Sequence, residues 1–354
     1  MAVVKKPSVL FVSDTKAENP YSDPSVRYRC FNLADELVRR GFRCHVVAQH
    51  DFDAQIPKQD SFDRYVFHRP RLTVPLAGFL ARQKPGTAIA DFDDLIFDVR
   101  HAAVTPAVRV RKQPAPEVRN FVATMAASLH LISRATVSTE PLAEHARQFR
   151  NLAISVVHNH VDPVYASIAR LLRAARPQRE RPFRFGYFPG THTHDLDFAV
   201  IAASLASALR TQPAARMLVV GPVALPEALQ PFADRIQRLG VVPFHALPHL
   251  MAQCQSVLAP LEQTVFTQAK SGLKYFEAAL VGCEVIATPV PDVDRFVSPL
   301  LAKCRSEDDW LRALTKSDPV RDVFVEQCAR ELETQVRIEA AIPGWLEAVA
   351  LEAA

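Results

Sequence analysis

Short, β-branched apolar runs alternate with helical stripes along this chain, and the alternation restarts near its middle. Strand and helix in strict alternation leave one main solution: a mostly parallel sheet with helices on both faces. In the first half, residues 8–12, 43–48, 65–68, 88–93, 135–138 and 154–158 read as strands, each bounded by turn residues. Residues 26–40 carry Phe31, Leu33, Ala34, Leu37 and Val38 on a helical stripe closed by Gly41. Residues 72–83, 117–133 and 141–150 read as further helices. A stretch rich in arginine and proline, 171–182, reads as a linker. Beyond it, strands are expected at 183–188, 217–220, 241–242, 257–259 and 284–287. Helices are expected over 195–209, 226–238, 247–253 and 271–281, with a helical tail from about 306.

The expected architecture is therefore α/β, with two doubly wound Rossmann-like domains facing a cleft. The boundaries are 1–165, a linker over 166–182, a second domain over 183–330, and a tail over 331–354 that packs back on the first domain. The 354 residues suit two domains of ordinary size. In such sheets ligands bind beyond the carboxyl ends of the strands, so polar residues just after strands are the ones to weigh.

The segment after Pro260 stands out under that rule. It runs through Lys270-Ser271-Gly272-Leu273-Lys274-Tyr275-Phe276-Glu277. Ser271 is a candidate N-cap, and the helix it opens points backbone amides at the strand end, where they can bind a phosphate. If helical phase reaches back to Lys270, then Lys270, Lys274 and Glu277 share one face. Leu273, Phe276 and Leu280 form a separate apolar face. The same spacing also describes an ordinary amphipathic surface helix, and spacing alone does not choose.

Four other groups are to be weighed. Asp91, Asp93, Asp94 and Asp98 follow the fourth strand, where carboxylates can bind acceptor hydroxyls, assist proton removal or cap a turn, with metal binding the weakest reading. Arg27 and Arg29 begin the first helix and can hold an anionic acceptor, or belong to the surface. His158 and His160 form an HxH pair, but no third ligand is visible nearby, and a turn is the better reading. His68 and His101 lie near strand ends without a feature that separates them from structural histidines.

Other classes fall away. The sequence has no GxGxxG after its first strand, no P-loop and no GxSxG elbow. A net charge of +4 is too mild and dispersed for nucleic acid. It is compatible with weak attraction to an anionic membrane surface, although a solvated face is the better reading. No apolar run approaches the roughly 18 residues of a membrane span. The opening, with Lys5 and Lys6, is too short in apolar residues for a signal peptide, so a cytoplasmic protein is expected. The six cysteines are scattered and read as reduced thiols.

The segment 270–279 with Gly282 and the strand Val285-Ile286-Ala287 resembles the donor-binding segment of GT-B glycosyltransferases, the retaining family 4 ("group 1") most of all. Further resemblance lies in Tyr28-Arg29-Cys30-Phe31-Asn32-Leu33-Ala34, in Ser138-Thr139 with Leu142, and in Asn159-His160-Val161-Asp162. The resemblance implies that Glu277 binds the nucleotide ribose and that the preceding turn and helix start lie against diphosphate and sugar. Gly190, Thr191, His194, Lys270, Ser271, Gly272, Leu273, Lys274 and Glu277 become the donor-binding set. Asp93, Asp94 and Lys270 become the catalytic candidates, and Arg27, Arg29 and Asp93 the acceptor side. The substrates implied are a nucleotide-sugar and a glycan or lipid-linked glycan, with no metal or other cofactor.

Two departures are plain. The family carries a glutamate eight positions before the ribose-binding one, where this chain has Ala269. It also carries an Arg and a Lys where this chain has Gly190-Thr191-His192-Thr193-His194. That turn, with Asp197-Phe198, is similar to one in a bacterial subgroup associated with polysaccharide assembly, which implies that Lys270 supplies the missing charge. Two rivals share the fold: a sugar-nucleotide epimerase, active without an acceptor, and a non-catalytic subunit that binds nucleotide or glycan.

Overall fold

The computed structural model describes residues 6–56, 61–149, 152–175, 177, 180–316, 320 and 322–352. Arg150, Arg176 and Arg179, and the start at Met1 to Lys5, lie outside these residues.

The chain forms two compact units. The first comprises Met1–Val161, Ala269–Ser271 and Arg337–Ala354; the second comprises Asp162–Gln268 and Gly272–Val336. The first holds a six-stranded sheet of β1 (Ser8–Ser13), β2 (Arg43–Ala48), β3 (Arg64–His68), β4 (Ala88–Phe92), β5 (Arg134–Val137) and β6 (Ala153–Val156). Their order is β2-β1-β3-β4-β5-β6, and every pairing is parallel. β1 is buried along its whole length, as a central parallel strand must be. Phe11 and Leu37 pack with Ile338, Ile342 and Trp345 of the last helix, Ile338–Ala348. Trp345 stacks on Phe11 with ring centroids 5.8 Å apart.

The second unit has its own sheet: β7 (Phe183–Tyr187), β8 (Met217–Val220), β9 (Ile236–Leu239), β10 (Cys254–Ala259), β11 (Glu284–Ala287) and β12 (Leu301–Lys303). The order β12-β11-β10-β7-β8-β9 is again all parallel. Its core joins Phe185, Tyr187, Phe198, Leu205, Met217, Ile286 and Trp310. In each sheet the strand order reverses beside the first strand: between β1 and β3, and between β7 and β10. Those are the points where a doubly wound sheet receives a ligand.

Several expectations need correction. The stretch expected as a linker is folded: Pro163–Ala175 is a helix, and Arg173 and Arg181 are buried in the second unit. Arg181 donates to the carbonyls of Cys254 and Val281, and Arg173 pairs with Glu326. Their guanidinium groups close strand and helix ends, so charge there marked burial and not exposure. Residues 226–238 are not one helix: a 3-10 segment, Glu227–Arg235, gives way to β9. Pro231 inside that segment removes an amide donor that an α-helix would use. The strand therefore falls at Ile236–Leu239, and Val241 and Val242 lie in a loop. The helix expected over 195–209 breaks at Ile201. The first helix opens with a π turn at Arg27–Phe31 before becoming α over Asn32–Arg39. Among the described residues no helix is long and apolar enough to cross a membrane.

Candidate active site

In the second unit the reversal point is built from the turn after β7 and the loop after β10. Residues 188–191 lead into a 3-10 turn, His192–His194, capped by the Thr191 hydroxyl. Asp197, one turn into the next helix, is buried and ties the two loops together. One carboxylate oxygen lies 2.8 Å from His194 Nδ1, and the other accepts the Glu262 amide at 2.9 Å. Burial alone would push the Asp197 pKa up; the hydrogen bonds from His194 and Glu262 outweigh it, with His194 and Lys274 adding favourable charge, and the net shift is downward. An ionised carboxylate accepts only, so His194 donates from Nδ1. Asp197 entered the sequence reading only as part of the turn's resemblance, with no role given to it, and Glu262 did not enter it. The strand-end rule covers the position of Glu262, but the tie through a main-chain amide has no sequence signature.

Gly190 is exposed, and a Cβ built there would meet no described atom within 4 Å. Nothing in the protein itself requires glycine at that place. Gly221 is the opposite case: its φ is +130°, and a Cβ would stand 1.9 Å from the Pro189 carbonyl oxygen. Only glycine permits that approach, and it fixes the turn that Gly190 continues.

The segment 270–277 divides between the units. Ala269–Ser271 belongs to the first unit, and the helix proper is Leu273–Leu280 in the second. Its N-cap is Gly272, not Ser271, and no side chain caps it. The Gly272 amide instead donates to the buried carboxylate of Asp292 at 2.6 Å, and Arg295 pairs with the other oxygen of Asp292. Lys270 is therefore off the helix, and the shared face of Lys270, Lys274 and Glu277 does not form. Lys274 and Glu277 remain one turn apart on the same helix, with Phe276 and Leu280 buried beneath it. Glu277 is buried, and its carbonyl accepts a hydrogen bond from the Tyr165 hydroxyl at 3.0 Å. Leu273 is half-buried at the helix start.

In the first unit, Ala269–Ser271 is held at each residue. The Ala269 carbonyl accepts from Thr139, Lys270 Nζ lies 2.6 Å from Asp94, and Ser271 Oγ accepts from Asn159. Lys270 is thus paired with Asp94. Asp94 also accepts from Arg69, which bonds Asp93 at 2.6 Å and the Ser25 hydroxyl. Asp93 is joined by His68 Nε2 at 3.0 Å, and His68 Nδ1 lies 2.8 Å from Ser13 Oγ. Burial opposes ionisation of Asp93, but Arg69 and then His68 outweigh it and hold its carboxyl well below the usual range. His68 is thereby distinguished from an ordinary core histidine: it joins Ser13 at the end of β1 to Asp93 beyond the end of β4. Arg69, missed from sequence, follows β3 directly and has φ +53°.

Arg29 is not on an acceptor surface. It is 1% exposed, with two hydrogen bonds to Asp91 at 2.9 and 2.5 Å and others to the Val157 carbonyl and Asn159. Thr136 donates to the same Asp91 carboxylate. β4 ends at Phe92, and Asp91 and Asp93 meet different partners: Arg29 for the first, Arg69 and His68 for the second. Arg27 is also buried; it donates to the Tyr21 carbonyl and lies over the Tyr21 ring. His158 and His160 make turn contacts to the Ser138 and His158 carbonyls.

Residues 186–316 match the family model described as Glycosyl transferases group 1. The match spans both loops of the second unit's reversal point and the whole Gly272–Glu277 helix start. No curated protein matches the sequence. Solved structures similar to this one include HepE of Anabaena in complex with UDP and glucose, at 14% identity and TM-score 0.62, over 97% of this chain and 99% of that one. Sucrose-phosphate synthase from Thermosynechococcus elongatus gives 14% and 0.63, over 97% and 98%. WaaG, a glycosyltransferase involved in lipopolysaccharide biosynthesis, gives 14% and 0.63, over 98% and 100%. These likenesses establish the GT-B fold. Residues 186–316, in the second unit but for 269–271, carry the match to the group 1 glycosyltransferase model.

Proposed function

We propose that this chain is a glycosyltransferase that moves a sugar from a nucleotide-sugar donor to a glycan or lipid-linked glycan acceptor, with retention, in cell-surface polysaccharide assembly. The observation that carries the donor half is the arrangement of the second unit within the matched residues. A glycine with no internal reason to be glycine, a hydrogen-bonding turn and a helix start meet where the sheet order reverses. In this reading the diphosphate lies along Gly190, Thr191 and His194, and it meets the helix at the amide of Leu273, since Asp292 already takes that of Gly272. Lys274 adds positive charge, and Glu277 accepts from the ribose hydroxyls. The UDP complexes of the Anabaena protein support a nucleotide diphosphate as the ligand class.

The catalytic requirement is charge stabilisation on the departing diphosphate as the glycosidic bond breaks, which preorganised donors supply without reorganising. With alanine at position 269, this falls to the backbone amides, His194 and Lys274. Asp93 is proposed to orient an acceptor hydroxyl, its own charge maintained by Arg69 and His68. Lys270, paired to Asp94, holds the 269–271 segment in place and is not proposed as a diphosphate ligand. Transfer is proposed to need no metal, and the protein to work in the cytoplasm, peripheral at the inner face of the membrane.

The test is a transfer assay with a set of nucleotide-sugars and lipid-linked glycans, with the product anomer read by NMR. An axial donor bond that remains axial in the product supports the reading. An inverted product, or isomerised nucleotide-sugar formed without acceptor, would refute it.

A further inference from the structure

In the first unit, Asp98 caps the 3-10 turn Val99–Val104 that carries His101, and His145 comes from the helix Glu140–Ala146. One ligand atom from each lies within 4.8 Å of the others. The Asp98 side chain is fully buried, and both imidazoles approach its Oδ2: His145 Nδ1 at 3.0 Å and His101 Nε2 at 3.9 Å. The first distance suits a hydrogen bond, the second does not. Two ligands of one tetrahedral zinc, each about 2.1 Å from the metal, stand about 3.4 Å apart, between the two observed values. The imidazole rings meet edge to face, with centroids 5.0 Å apart.

We propose that Asp98, His101 and His145 form a binding site for one borderline divalent transition-metal ion, zinc foremost. Two imidazole nitrogens and one carboxylate oxygen favour such an ion over magnesium or calcium, which prefer oxygen throughout. Metal binding requires the Nε2–H form of His145, whose Nδ1 then faces the ion in place of its contact with Oδ2. Arg100 competes for that oxygen, with Nη2 at 2.6 Å, but its side chain is 59% exposed and also bonds Oδ1 through Nε at 2.9 Å. It can release one oxygen and keep the other. The ion would join the turn after β4, which follows Asp93 and Asp94, to a helix 47 positions away in sequence. It would act on the stability of the first unit and take no part in the proposed sugar transfer.

The experiment is calorimetric titration of tag-free, chelator-treated protein with zinc chloride and, separately, magnesium chloride. One equivalent of zinc should bind, and magnesium should not. His101→Ala and His145→Ala should each weaken zinc by at least about tenfold, with circular dichroism reporting that both remain folded. Arg100→Ala removes the competitor and should tighten binding. No saturable zinc binding, equal affinity in the wild type and H101A, or loss in R100A matching that in H101A would overturn the site.

Discussion

Replacing Arg29 with methionine separates a substrate ligand from an internal support. The pair Arg29–Asp91 is 1% and 2% exposed, with a shortest contact of 2.5 Å. Removing the guanidinium leaves the Asp91 carboxylate buried with Thr136 as its remaining donor, and strips a donor from the Val157 carbonyl and from Asn159. Breaking one half of a buried ion pair costs about 3–5 kcal/mol, because the other charge stays desolvated. For a unit of this size that lowers the melting temperature by about 6–20 °C, at about 2–4 °C per kcal/mol. The chain has two tryptophans, Trp345 in the core of the first unit and Trp310 in that of the second. In a Trp310→Phe background, fluorescence therefore follows the unit that contains Arg29. The double variant R29M/D91L, with no buried charge left, should recover part of the loss. Below the melting range, R29M should keep the KM for acceptor. A loss under about 1 kcal/mol with a raised acceptor KM would return Arg29 to the substrate side and refute the argument.

Three further outcomes follow from the second unit and the thiols. Asp197 is ionised more readily folded than unfolded, so its contribution is fully present above the ordinary carboxylate value and is lost as pH falls through the lower folded one. Urea midpoints of the second unit, read from Trp310 in a Trp345→Phe background, should fall on acidification towards pH 3 in the parent more steeply than in Asp197→Asn. Gly221→Ala forces a Cβ against the Pro189 carbonyl at positive φ and should cost at least about 1 kcal/mol. Because Pro189 leads into Gly190, it should also weaken nucleotide binding, whereas unchanged affinity would detach that turn from the donor. Burial pushes the Cys44 and Cys304 thiols up to about 12, so neither should react with a thiol reagent at pH 8 until the protein unfolds. Rapid native-state labelling of Cys304 would contradict that.

The double alternation of strand and helix was readable because parallel strands buried on both faces must be short apolar runs, and β1, β4 and β10 are such runs. Burial of charge was not readable. Arg173 and Arg181 looked like linker residues because composition does not reveal that their partners are main-chain carbonyls over 70 positions away. Arg29 and Arg69 illustrate the same limit: one is internal and the other bridges two carboxylates. Ser271 had the chemistry of an N-cap, but its hydroxyl accepts from Asn159, and Asp292, twenty positions on from Gly272, serves the helix amide. A local capping preference lost to two non-local hydrogen bonds. The helix that carries Glu277 was legible because its apolar pattern is local.

The account stands or falls on whether the second unit holds a nucleotide diphosphate by way of Glu277. The direct measurement is a thermal-shift and calorimetric screen against UDP, GDP, dTDP, CMP and ADP, repeated with Glu277→Ala. The account predicts that one of the nucleoside diphosphates raises the melting temperature, and that the substitution weakens it by about tenfold or more, as expected when a charged group's hydrogen bonds are lost. Binding of no nucleotide, or equal affinity in the wild type and E277A, would contradict it.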